Sequence, residues 1–410
     1  MIKNVFLSVG INFINFLFPV ILIPYYIHIF GIANYGIIAI AVSLINYISV
    51  INDYSWNILG PVYLGKLGID TKAISNYIST VINTKLLLSV LSFFILFGFV
   101  HLYPEISNKP LLMASLFVML FSRTQNTHWI FIGLNNVFTY FIINTIFKVS
   151  SFIAILLFVK DKNSFQILFF ILGLFDSLIF ISSYTYLFLR KKFKYNFSSF
   201  DAIRTELKFG FKMFLTNLTI CSILNSGTLI LGLFCNSKII GIYSVSEKVI
   251  MLGKHCVGVL FQGVFPKICK LGVSNLTELN RNLRLIFKSY LVLFSIGTVI
   301  LIAFAPQIIG VLSSSNILES SKYLMMFAPI PLIASLNQSA YMALVIHEKK
   351  NIYFSGYFLA LIINIILSFV LSFLFEVKGM IVTLLITELF ITLYLNYYVY
   401  KDKNLNFFHK

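Results

Sequence analysis

Acidic residues are the scarcest class in this chain of 410 residues: 14 Asp and Glu stand against 31 Lys and Arg, and charged residues of both signs make up only 11%. A soluble domain carries about 25%. With 59% of the residues hydrophobic, the apolar surface exceeds what a globular core can enclose. That excludes a soluble protein and makes lipid the solvent. Cysteine is also sparse. Cys221, Cys235, Cys256 and Cys269 stand singly, with no CxxC pair, so a disulfide framework or structural zinc is excluded. His28, His128, His255 and His347 lack metal-ligand spacing, and His128 beside Trp129 reads as an anchor at the membrane interface. No GxxxxGK[ST] loop, HExxH or GxSxG occurs, so the chain has no P-loop for nucleotide hydrolysis and none of those hydrolytic sites. No resident cofactor is expected. A proton or sodium gradient, the membrane potential or the substrate's own gradient must supply the energy of any transport. One charge crossing 100 mV yields about 2.3 kcal/mol.

What is present is a series of apolar stretches of membrane length, at 5–29, 35–62, 76–102, 110–132, 137–159, 165–189, 208–234, 239–266, 283–304, 321–345, 353–375 and 379–400. The opening stretch has Lys3 as its only cation and no small-residue cleavage site, so it reads as a retained first helix. The longest connection, 190–207, divides the spans into two sets of six, a lobe over 1–200 and a lobe over 201–410. The expected fold class is therefore an all-α integral membrane protein of about twelve helices in two six-helix lobes. Outer loops are short, 305–320 being the largest, and leave no room for an outer catalytic domain.

A net charge of +17 would suggest nucleic acid in a soluble protein. Here the cations report orientation. With the N-terminus in the cytoplasm, the runs Arg190, Lys191, Lys192, Lys194, Arg204, Lys208, Lys212 and Lys267, Lys270, Arg281, Arg284, Lys288 all fall inside. Only Lys109, Lys160, Lys162, Lys238, Lys322 and Lys378 fall outside. This obeys the positive-inside rule, places both termini in the cytoplasm and removes nucleic acid as a partner.

The halves are distantly alike. Each opens with a helix, a short outer turn and a glycine-bearing start, Ile29 to Gly36 in the first half and Asn236 to Gly241 in the second. Six helices per half make the repeats parallel. Polar residues then form stripes inside the spans: Asn4, Ser8, Asn12 and Asn15 on helix 1; Asn46, Ser49, Asp53, Trp56 and Asn57 on helix 2; Tyr140, Asn144, Lys148 and Ser151 on helix 5; Asn217, Cys221, Asn225 and Thr228 on helix 7. Interhelical hydrogen bonding accounts for any one of them, and four stripes together favour a hydrated central cavity. Lys85, Arg123, Lys148 and Lys254 lie within spans, where each charge costs about 2.5–3.5 kcal/mol. Lys85 and Arg123 are placed to snorkel, whereas Lys148 and Lys254 sit nearer the centre. The acids available to pair are Asp53, Asp176, Glu247 and Glu388. Glu247 and Lys254, seven residues apart, share a face. A cationic cavity implies an anionic passenger such as a phosphate or diphosphate, with Lys148, Lys254, Arg123, Lys85, Asn12, Asn15, Asn144 and Asn225 as binding candidates. Asp53, Glu247 and Asp176 are candidates for ion coupling or charge pairing.

Pro19, Pro24-Tyr25-Tyr26, Phe30-Gly31 and Tyr35-Gly36, then His128-Trp129 through Gly133-Leu134, Leu207-Lys208 with Gly210, Ile240-Gly241 through Glu247-Lys248, and Phe265-Pro266-Lys267-Ile268 follow one another in an order that resembles bacterial O-antigen flippases. Those belong to the multidrug/oligosaccharide-lipid/polysaccharide exporter superfamily. The resemblance implies a MATE-like two-lobed bundle in the bacterial inner membrane, working by alternating access. Its passenger would be an undecaprenyl-diphosphate-linked oligosaccharide, and membrane lipid, a polysaccharide polymerase and a chain-length regulator would be its partners. Helix 1 departs from some relatives in having no basic residue after Lys3. Two other readings compete. An ion-coupled small-molecule exporter of the same superfamily would want an acidic, aromatic cavity. A membrane polysaccharide polymerase would need a large outer loop with catalytic Arg or Asp.

Overall fold

The computed structural model describes residues 2–68, 70–271, 276–313, 315–402 and 405–408. The side chains of 2–6, 163, 266, 267, 270, 271 and 350 are outside that description, and with them those of Asn4, Pro266, Lys267 and Lys270.

Among the described residues every regular element is a helix. In chain order these are α1 (Ile2–Asp53), α2 (Trp56–Leu67), α3 (Thr71–Val100), α4 (Pro104–Ser107), α5 (Pro110–Thr124), α6 (His128–Gly133), α7 (Val137–Phe158) and α8 (Phe165–Arg190). They continue with α9 (Phe200–Phe234), α10 (Ser237–Leu271), α11 (Leu276–Ala303), α12 (Ala305–Leu312), α13 (Ile317–Phe327), α14 (Pro329–Leu336), α15 (Gln338–Ile346) and α16 (Lys350–Lys401). Helices are the natural answer to this composition, because a helix satisfies its backbone polar groups internally where lipid offers no partner. Local signals set several starts. The Asp70 carboxylate accepts from the amides of Lys72 and Ala73 at 3.0 Å and caps α3. Pro104, Pro110 and Pro329 stand in the first turns of their helices, where a missing N–H costs nothing.

Nine helical stretches among the described residues are long and apolar enough to cross a membrane. Two of them are far too long for one crossing: Leu7–Leu67 and Asn351–Lys401 hold 61 and 51 residues, against the roughly 20 that a bilayer needs. Each is interrupted by a residue with non-helical backbone, Gly31 (φ 78°) in α1 and Glu376 (φ 50°) in α16. Read at these breaks the pair supplies four crossings and the other seven candidates one each. The broken helix α5–α6 makes the twelfth. The twelve apolar stretches of the sequence are all helical, but several bounds move. The second span breaks at Tyr54 (φ 45°) and Ser55, between α1 and α2, so Trp56 and Asn57 are on a different helix from Asp53. The fourth breaks between Thr124 and His128, and the tenth at Ala328 and Asn337. The 305–320 connection is not open loop, since it holds α12.

The 190–207 connection also differs from expectation. Helix α9 begins at Phe200, and only 191–199 lies outside the helices. That strap lies along α3. The Lys194 amide donates to Ser75 Oγ at 3.3 Å, the Asn196 amide donates to Ser79 Oγ at 3.1 Å, and the Asn196 side chain donates to Asn76 Oδ1 at 2.9 Å. Phe193 is buried with Ile74, Tyr77 and Ile78 of the same helix.

The chain forms two compact units, Met1–Pro19 with Ile37–Cys221, and Val20–Gly36 with Ser222–Lys410. In the first, Trp56, Trp129, Phe131 and Tyr140 centre the core. Trp129 is 1% exposed, and its ring takes the space a side chain at Gly60 would fill. His128 stacks on Tyr140 with ring centroids 4.8 Å apart. The pair is therefore interior packing and not the interface anchor expected from sequence. The first part of α9 docks on the break in the second span. Trp56 Nε1 donates to Glu206 Oε1 at 2.9 Å, and Tyr54 donates to the Leu207 carbonyl at 2.8 Å. The Asn217 side chain takes up the Tyr54 carbonyl at 2.8 Å, a group freed by the break.

In the second unit, Leu279, Leu283, Met342, Leu395 and Phe407 share a core. The tail after α16 returns onto α11, where Arg284 Nε donates to the Phe407 carbonyl at 2.8 Å and the Phe287 ring meets Phe407 and Phe408. Each unit thus closes in the same way, by a non-helical segment after its sixth crossing that folds back on its third.

Candidate functional site

The polar residues read from the sequence gather mainly in the first unit, in two groups. The first is at the break in the second span. Lys85 of α3 is 1% exposed, which rules out snorkelling. Its ammonium lies 3.7 Å from Asp53 Oδ1 and donates to the carbonyls of Thr124 and Asn126 at 3.2 and 3.1 Å. Those carbonyls are freed where α5 ends, so the cation caps a helix C-terminus where the dipole also favours it. The Trp56 ring lies below, 5.9 Å from Nζ. Lys85 and Asp53 therefore neutralise each other and close this position.

The second group joins α7, α8, α5 and α1. Lys148 is eleven residues from one end of α7 and ten from the other. Its ammonium meets Asp176 Oδ1 of α8 at 2.5 Å, and Arg123 Nε of α5 faces the other carboxylate oxygen at 3.6 Å. Arg123 also donates through Nη1 to Asn46 Oδ1 of α1. One turn before Lys148, Asn144 donates to Asn15 Oδ1 at 3.3 Å. Asn12, half-buried, is one turn before Asn15. Beside Asp176, Ser177 and Ser122 share a hydrogen bond of 2.6 Å. The close seating of α8 on α5 depends on Gly173, where an added Cβ would come within 2.9 Å of the Met119 amide nitrogen. Three helices thus bring two cations, Arg123 and Lys148, onto one carboxylate, and the sum is one unbalanced positive charge. Arg123 and Lys148 keep 29% and 23% of their side-chain surface exposed, so neither is sealed as Lys85 is.

The second unit differs. Lys254 of α10 pairs with Glu388 of α16. Glu247 is held on its own helix and the neighbouring one: Tyr243 donates to Oε1 at 3.0 Å, Thr228 donates to Oε2 at 2.8 Å, and Lys248 lies 3.8 Å away. Asn225 is half-buried on α9, and Ser226 beside it donates to Asn364, which donates in turn to Thr387 at 3.2 Å. Lys85, Arg123, Lys148 and Lys254 therefore each have an acid partner, and among the described residues Asp176 alone is shared by two cations.

Asn46, Tyr243 and Thr228 were not singled out from the sequence as site residues. Asn46 and Thr228 were visible only as members of polar stripes, and Tyr243 only as a position within the stretch from Ile240 to Lys248. Among the described residues no group of three His, Cys, Asp or Glu could hold a metal ion.

Comparison with known proteins agrees with the geometry of these helices. A protein of Shigella dysenteriae described as a putative O-antigen transporter is 24% identical over 279 residues, 66% of this chain and 67% of its own length. Among solved structures, lipid II flippase MurJ in an inward closed conformation superposes with a TM-score of 0.73 at 16% identity, over 99% of this chain and 89% of that one. An inward-facing multidrug resistance MATE family transporter of the MOP superfamily gives 0.62 at 12%, over 96% and 92%. At these identities the solved structures speak for the fold, which is MATE-like. The sequence match is carried by a family model described as "Polysaccharide biosynthesis protein", which covers residues 1–271 and so takes in the whole Arg123, Lys148 and Asp176 cluster. This chain belongs to the polysaccharide biosynthesis protein family.

Proposed function

We propose that this protein carries a diphosphate-linked oligosaccharide on a polyprenyl lipid from the cytoplasmic to the outer leaflet of the bacterial inner membrane. The observation that carries the reading is the cluster in which Arg123 and Lys148 share one carboxylate. A surplus cation deep in a span is costly, and an anionic passenger offsets that cost when it binds. Asn15, Asn46 and Asn144 around it offer amides for sugar hydroxyls, and the lipid tail stays in the bilayer. The family membership, a relative named as an O-antigen transporter and a fold shared with a lipid II flippase support the same reading. Two six-helix lobes, 1–200 and 201–410, would rock to give alternating access, with both termini cytoplasmic. A carrier of this kind performs no bond chemistry.

The test is deletion of the gene in its host, followed by analysis of surface glycan and lipid-linked saccharide. Loss of surface polymer, with repeat units kept on lipid and shielded from outer-face probes, is the expected result, restored by the wild-type gene and not by Lys148→Ala or Arg123→Ala. Unpolymerised single units at the surface would point to a polymerase. An unchanged glycan would favour an ion-coupled small-molecule exporter, which the similar MATE fold also accommodates.

A further inference from the structure

The proposed reading leaves a problem of selectivity. A bilayer is crowded with phosphodiester lipids whose phosphate carries one negative charge, and each could enter a cationic site. A diphosphate bridging a sugar and a polyprenyl chain is also a diester, but carries two charges. The site must respond to that difference of one.

The geometry points to Asp176 as the element that reads it. We propose that Asp176 is a built-in competitor anion, which holds the diphosphate subsite in the empty protein and yields it to a doubly charged ester but not to a singly charged one. This deepens the proposed function and rests on it. Each carboxylate oxygen of Asp176 faces a different cation, Oδ1 toward Lys148 at 2.5 Å and Oδ2 toward Arg123 at 3.6 Å. Two oxygens spread over two cations is the arrangement a diphosphate would make with one oxygen from each phosphate. The charge balance then decides. Against two cations the carboxylate leaves one positive charge over, so a monoanion that displaced it would leave the same imbalance and add the cost of an unpaired buried carboxylate. A dianion cancels both cations and repays that cost. Specificity of this kind comes from a repulsive element held in the site as much as from attraction to the ligand.

One feature keeps Arg123 in place while the carboxylate is exchanged, and a second holds the helix that carries Asp176. Arg123 is anchored through Asn46 on another helix, and α8 is held to α5 by Ser122, which donates to the Gly173 carbonyl at 2.8 Å and shares a hydrogen bond with Ser177. The other in-span cations lack this arrangement. Lys85 is sealed with Asp53 and two carbonyls, and Lys254 faces Glu388 one to one.

The experiment compares two soluble probes that differ by one phosphoryl group and the charge it carries, a short-chain dialkyl diphosphate and the matching dialkyl phosphate, binding to purified full-length protein in nanodiscs. Wild type is expected to prefer the diphosphate by about 100-fold, the worth of about 2.7 kcal/mol. In Asp176→Asn the monophosphate should gain at least about tenfold in affinity and the preference should shrink to about tenfold or less. Because that variant leaves two cations unpaired and can fail to fold, the double variant Asp176→Asn/Lys148→Met is tested beside it. It keeps the wild-type net charge, yet it too should bind the monophosphate more tightly than wild type does. A wild-type preference that survives in both variants would overturn the competitor role while leaving the site intact. If neither probe binds wild type, the reading of the site itself falls.

Discussion

Gly36 and Gly241 oppose each other across two helix backbones. A Cβ on Gly36 would meet the Ser237 carbonyl oxygen and come within 2.9 Å of the Gly241 amide nitrogen, and one on Gly241 would meet the Ile32 carbonyl oxygen. The contact is reciprocal, since Ile32 stands four residues before Gly36 and Ser237 four before Gly241. The two glycine-bearing starts that marked the internal repeat are packed together within the second unit. In lipid, where apolar side chains gain little by meeting, close backbone approach at small residues is the main source of helix association.

Gly36→Ala should therefore lower the melting temperature in detergent, by an amount corresponding to about 1–3 kcal/mol of overpacking. Gly98→Ala is the control. Nothing lies within 4 Å of a Cβ there, so it should be neutral or slightly stabilising through helix propensity.

Lys85→Met should be among the most damaging single substitutions. It removes the partner of Asp53 and uncovers the Thr124 and Asn126 carbonyls, a loss of about 3–5 kcal/mol for a broken buried pair. Lys85→Met/Asp53→Asn should recover much of the folded yield, measured by size-exclusion of a fluorescent fusion, because no charge is left unpaired. Equal yields for the single and double variants would show that the pair is not what holds this position.

For Lys254 and Glu388 the same logic separates a structural pair from a transport site. Lys254→Gln and Glu388→Gln should each reduce the folded yield, and the exchange Lys254→Glu/Glu388→Lys should restore it. Surface glycan measured in the same cells shows whether transport returns with the fold. If it stays absent from the refolded exchange variant, the pair serves transport as well as packing.

The closing segments predict a matched result in the two units. Phe407→Ala empties a fully buried site in the second core and should cost about 3–5 kcal/mol. Phe193→Ala should do similar damage in the first, read as a fall in melting temperature of the purified protein.

Apolar run lengths made the helices legible, because a bilayer imposes its thickness directly on the sequence. The breaks were legible only in part. Those at Gly31 and Glu376 fall in the gaps 30–34 and 376–378 between apolar stretches, whereas Tyr54 interrupts a helix inside one stretch without being Gly or Pro, and Pro61 sits inside α2. What stabilises the break at Tyr54 is Asn217 and Leu207, more than 150 residues away. The early start of α9 was hidden because 200–207 is too polar to read as a span, although it is a good helix former. The cations and the pool of acids were found, but not which acid pairs with which cation. Helical periodicity places Glu247 and Lys254 on one face, and only the fold brings Glu388 in from α16 to take the lysine.

The strap over 191–199 changes how the protein can be handled. By sequence the longest connection, with Arg190, Lys191, Lys192 and Lys194, is the obvious place for trypsin to cut or for a topology reporter to be inserted. Its side chains are exposed, but its backbone is already hydrogen-bonded to Ser75 and Ser79, and Phe193 is anchored in the core. A protease would have to peel that segment from α3 before it could bind it. A reporter placed there would report on a unit it had itself pulled open.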